Sequence, residues 1–98
     1  MGWARAHIAG LQRGETVSFR PRGNSMRPRI ESGHQLVTCA PVKLEELRVG
    51  DIVLCVVNGA EYLHYVRAIA PGRAPIANAR GHINGWTSKV FGRVTKIE

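Results

Sequence analysis

Ser25 lies in the stretch Arg22-Gly23-Asn24-Ser25-Met26-Arg27-Pro28, a hydroxyl on a turn ringed by arginines. A serine hydroxyl is a weak nucleophile at neutral pH. It needs a base within hydrogen-bond reach and donors aimed at the developing oxyanion. Gly23 allows close backbone approach and Pro28 stiffens the chain beyond the serine. A turn at Asn24-Ser25 would leave their backbone N–H groups free to hold an oxyanion. The base candidates are His7, His34, His64 and His82, with Lys43, Lys89 and Lys96. His64 stands apart because it sits mid-strand in Tyr62-Leu63-His64-Tyr65-Val66, where large neighbours would hold its ring. On a period of two, Tyr62, His64 and Val66 share one face, and Leu63, Tyr65 and Arg67 the other. Apolar groups on both faces predict a strand covered on both sides.

These residues need strands to position them. Glu15–Arg20 alternates Val17 and Phe19 with polar neighbours, as a strand does. Residues 34–40, 51–57, 60–69, 76–79 and 89–97 also read as strands. Asn58-Gly59 joins two of them in the strongest hairpin signal of the chain. Residues 71–75 and 80–86 read as turns, 42–51 as a helical turn followed by a tight turn, and 3–12 as a short helix weakened by Gly10. The expected fold is all-β: a small, coiled, partly closed β structure with at most one or two helical turns. Residues 1–14 form an N-terminal extension carrying the short helix, and 15–98 form the β domain.

The 98 residues suffice for one modest core, and a composition 44% hydrophobic and 21% charged is that of an ordinary globular domain. Fourteen Lys and Arg against seven Asp and Glu give +7, which favours anionic partners. No apolar run approaches the ~18 residues of a membrane span, and the N-terminus lacks a secretory h-region. The expectation is a cytoplasmic protein without a membrane span. Cys39 and Cys55 sit in apolar runs without a CxxC spacing, and read as buried free thiols. His34, His64 and His82 come from three separate segments with no paired ligand spacing, so neither a metal nor another cofactor is expected.

Four stretches in order resemble a known family. Gly23–Pro28 resembles the serine box of the Ser-Lys/Ser-His peptidase superfamily, the group of signal peptidases and LexA-type repressor peptidase domains. Val49–Leu54 resembles its Gly-Asp strand start, Glu61–Val66 falls where it places the base, and Val90–Ile97 resembles its last strand. The resemblance spans about four-fifths of the chain. It implies a coiled β fold and makes Ser25 the nucleophile and His64 the general base of a Ser-His variant. Gly23, Met26 and Pro28 are supporting positions of the serine box. Histidine suits the role: a lysine must lose roughly 3 pK units, about 4 kcal/mol, to act near neutrality, whereas a histidine near ~6.5 is already mostly neutral.

The chain also departs from the pattern. His82 stands where an aspartate that orients the base is usual, His34 where Gly-Asp is common, and Tyr65 where a basic residue follows the base. Between Asp51 and Glu98 the only carboxylate is Glu61. Tyr62 or a water is the candidate to orient the imidazole instead. Neither the membrane segment of a signal peptidase nor a repressor's DNA-binding domain is recognised. Ala9-Gly10 matches a LexA-type self-cleavage site by residue type, but lies closer to the serine than in that family.

Two functions are expected from these residues. One is a small soluble peptidase cutting a peptide or protein with a Ser25–His64 dyad. The other is a catalytically inactive relative that binds an acidic protein or nucleic acid through its basic surface, including Arg20, Arg22, Arg27 and Arg29. The oligomeric state is left open.

Overall fold

The computed structural model describes residues 3–21, 35–68, 74–77 and 83–98. Their elements are helix α1 (Arg5–Gln12), strands β1 (Val17–Phe19) and β2 (Val37–Pro41), a 3-10 turn (Leu44–Glu46), and strands β3 (Ile52–Val57), β4 (Ala60–Val66), β5 (Ala74–Ala77), β6 (Ile83–Thr87) and β7 (Val90–Ile97). The strands form one sheet in the order β1-β2-β7-β3-β4-β5-β6, and every neighbouring pair is antiparallel.

The centre of the sheet is the β3–β4 hairpin, closed by Asn58 (φ 50°) and Gly59 (φ 81°). Both turn residues take the left-handed conformation that a two-residue hairpin with the native strand twist demands. The apolar run of β3 is continuous because both of its faces are covered. Ile52 and Leu54 join Leu63, Phe19, Val37, Cys39 and the helix residues Ala4, Ile8 and Leu11 in one core. Val53, Cys55 and Val57 join Leu47, Val66, Ile76 and Val90 in a second. The N-terminal helix therefore shares a core with β1, β2, β3 and β4. Cys39 and Cys55 fall in different cores, and both are free thiols.

Past β4 the sheet curls. The Thr87 hydroxyl donates to the Val56 carbonyl (2.6 Å) and accepts from the Lys89 N–H (2.9 Å). The Val56 N–H bonds the Lys89 carbonyl (2.9 Å), so the chain leaving β6 turns back along β3 to become β7. The pairing runs from β1 at one end to β6 at the other, so the described strands do not form a closed barrel.

Two local expectations change. The expected loop 71–75 contains the start of β5, at Ala74, and the expected turn 80–86 contains most of β6. Asn84-Gly85 looks like turn chemistry, but here Gly85 (φ 146°) serves a bulge. The register jumps from Ile76 opposite Gly85 to Ala77 opposite Ile83, leaving one extra residue in β6.

Candidate active site

His64 is set by the register of β4. It stands opposite Val53, one pair along from Leu54–Leu63, on the face of the second core. Only 5% of its surface is exposed. Its ring packs on Tyr62, two residues back on the same face, with centroids 4.9 Å apart and planes tilted by 38°. Tyr62 is half-buried against the same core, and the Cys55 thiol donates to its backbone carbonyl (3.6 Å). Two ordered strands and a tyrosine ring thus hold the imidazole in place, the rigidity a general base requires.

Parity along β4 decides which carboxylate is near. Glu61, three residues from His64, belongs to the opposite face, where its Oε1 accepts the Ala4 N–H at the start of α1 (2.8 Å). It caps the helix and is turned away from the imidazole. Asp51 lies one step before Ile52 and comes to the His64 side. Its Oδ2 accepts the Arg48 N–H (2.8 Å) and an Arg93 Nη1–H (3.5 Å). Arg93 stands opposite Val53 from β7, so Arg93, Val53 and His64 form a row across three strands. At the usual strand spacing the row places Arg93 roughly 10 Å from His64, backbone to backbone. Arg93 also donates to the Glu46 carbonyl (3.3 Å). Around this pair opens a cleft of about 670 Å³ lined by Glu45, Glu46, Leu47, Arg48, Asp51 and Arg93. The Gly50-Asp51 strand start is the signal in the chain for this cluster, and nothing in the sequence marks Arg48 or Arg93 as its partners.

The serine box lies outside the described residues: Gly23, Asn24, Ser25, Met26 and Pro28, with Arg22, Arg27 and Arg29. His34 and His82 lie outside them too, so the structure places His64, Tyr62 and Arg20 of the candidate set. Arg20 is exposed just after β1. Among the described residues no three His, Cys, Asp or Glu side chains gather as a metal site, and no helix is long and apolar enough to cross a membrane.

The cysteines and the Ala9-Gly10 bond also have defined settings. Burial pushes the Cys39 and Cys55 thiols up to about 12, so neither supplies a thiolate nucleophile near neutrality. The Ala9-Gly10 bond lies inside α1, and Gly10 is buried. The Ala9 carbonyl accepts the Arg13 N–H (3.2 Å), and the Gly10 carbonyl those of Arg13 and Glu15 (3.1 and 3.0 Å). Cleavage there requires the helix to unwind first, which removes the case for Ala9-Gly10 as a self-cleavage site in the folded chain.

Comparisons with protein-family models, curated proteins and solved structures returned no match to this chain.

Proposed function

We propose that the protein is a small cytoplasmic serine peptidase-like hydrolase with the coiled β fold of the LexA and signal-peptidase type. Ser25 is its nucleophile and His64 its general base. The observation that supports this reading is the setting of His64: a buried imidazole fixed on a central strand and packed on Tyr62. It occupies the position that the order of motifs assigns to the base. In this mechanism His64 takes the Ser25 hydroxyl proton as Oγ bonds to the peptide carbonyl carbon. The proton passes to the leaving amine as the C–N bond breaks, and water then hydrolyses the acyl-enzyme. The backbone N–H groups of Asn24 and Ser25 hold the oxyanion. Tyr62, packed on the His64 ring, helps to orient it.

The test is labelling by a serine-directed phosphonate, read by intact mass from pH 5 to 9, on wild type, Ser25→Ala and His64→Ala. The expected result is one adduct per wild-type chain, none on Ser25→Ala, and a rate lowered by about 10²- to 10⁴-fold in His64→Ala. A folded wild-type protein that takes no adduct at any pH overturns the proposal.

A second reading has its own support. Glu61, the only carboxylate between Asp51 and Glu98, is committed to the N-terminus of α1 on the far face of β4. A chain that spends that carboxylate on structure fits an inactive relative acting by binding. In that case the same labelling fails while the basic surface still binds an anionic partner.

A further inference from the structure

Where α1 meets β1, three aromatic rings gather that the dyad does not use. The His7 ring stacks on Phe19, centroids 4.4 Å apart and planes within 19°. Trp3 leans on both, 5.7 Å from Phe19 and 6.5 Å from His7. Phe19 is 8% exposed and anchors the cluster in the first core. Trp3 leaves 51% of its surface in solvent although apolar positions lie close by. An indole held by two other rings and still half exposed offers an ordered stacking face.

Its charge setting is basic. Arg5 is exposed two residues after Trp3, and Arg20 is exposed next to Phe19. Arg22, Arg27 and Arg29 follow Arg20 along a chain of net charge +7. Glu61 brings a negative charge to the start of the helix, where its Oε1 accepts the Ala4 N–H.

We propose that Trp3, with His7 and Phe19 behind it, forms a stacking platform for single-stranded nucleic acid, with Arg5 and Arg20 as phosphate contacts. Cationic groups beside an exposed aromatic face are what an unpaired strand requires: arginines for phosphates and a π-face for one base. A duplex hides its base faces, and the carboxylates of an acidic peptide have no π-face to stack on the indole. The proposal depends on neither Ser25 nor His64.

The test uses Trp86→Phe protein, in which Trp3 is the sole tryptophan, titrated with ten-residue oligothymidylate and oligouridylate at low salt. Saturable quenching of Trp3 emission is expected. In anisotropy with fluorescein-labelled oligothymidylate, Trp3→Ala should weaken binding by about 5- to 100-fold, while Trp3→Phe keeps most of the affinity. Arg20→Glu should flatten the dependence on salt. The quenching experiment stands even if Trp3→Ala is poorly folded. Binding that leaves Trp3 emission unchanged overturns the platform, as does equal affinity in folded Trp3→Ala. Equal quenching by polyglutamate assigns the surface to an acidic protein, and equal binding of duplex to a purely electrostatic contact. Either result also overturns it.

Discussion

Gly92→Ala is the sharpest probe of how the N-terminal helix sits on the sheet. Gly92 is in β7, opposite Leu54 of β3 and Pro41 of β2. A Cβ added there would lie 2.7 and 2.9 Å from the two Leu11 methyls and 3.2 Å from the Ala40 carbonyl oxygen. Normal contact starts near 3.4 Å. Both Leu11 methyls are in the way, so rotating one aside does not clear the site, and Leu11 is only 3% exposed. Leu11 must repack or the helix back away. Overpacking of this kind costs about 1–3 kcal/mol. Replacing a strand glycine recovers about 0.5–1 kcal/mol of backbone entropy, which leaves a net loss of up to about 2.5 kcal/mol. Leu11→Ala alone should cost about 2–5 kcal/mol. In the double variant the new methyl enters the space Leu11 vacated. The combined loss should therefore fall short of the sum by about 1 kcal/mol or more. Urea denaturation followed by circular dichroism measures all three, and each 1 kcal/mol moves the melting temperature of a domain this size by about 4–8 °C. Additivity within about 0.5 kcal/mol would show that Leu11 does not lie over Gly92, and the docking of α1 on β7 would be wrong.

Glu61→Gln weakens the acceptor that holds the Ala4 N–H, and should cost about 1 kcal/mol by urea denaturation with little change in the sheet signal. Gly59→Val forces a β-branched residue to φ 81° and should cost about 1–2 kcal/mol or more, again by denaturation. The thiols predict an alkaline loss of stability. Their folded values, near 12, lie above the ordinary 9.0, so the unfolded chain ionises first; the contribution is whole below pH 9 and is lost as pH rises toward 12. At pH 10 this comes to about 1 kcal/mol per thiol, and a double Cys→Ala variant, whatever its starting stability, should lose less between pH 8 and 10. For the same reason both thiols should resist an aromatic disulfide reagent in the native protein at pH 8 and react fully in urea.

The strand hairpin around His64 was legible because its signals are local. Asn58-Gly59 dictates the turn, and the unbroken apolar run of Ile52–Val57 requires cover on both faces, which α1 and the 3-10 turn region supply. The β6 strand was hidden for the opposite reason. Asn84-Gly85 has the chemistry of a turn, and only pairing with β5 converts it into a bulged strand. Gly10 argued against a helix by propensity. In the fold it is the residue that lets α1 approach β1, since a Cβ there would meet a Val17 methyl at 2.9 Å. Glu61 shows the limit most clearly: its partner Ala4 lies 57 residues away, and nothing near Glu61 in the chain announces it.

The same sheet geometry separates the helix-side residues of the central hairpin from those of the proposed site. Residues of β4 at odd positions meet the helix, and Glu61 is spent there on fixing its N-terminus. Even positions carry Tyr62 and His64 to the other face, in register with Val53 and, one strand beyond, Arg93. Removing the helix contact should therefore lower stability without reorienting the imidazole, whereas Tyr62→Ala, on the other face, removes the ring packed on it. Comparing the two separates a loss of fold from a loss of site. If His64 is the base, Glu61→Gln labels with phosphonate like wild type at temperatures well below its melting point, and Tyr62→Ala labels more slowly though folded. If both label alike, the orientation of His64 comes from elsewhere, and the part given to Tyr62 is wrong.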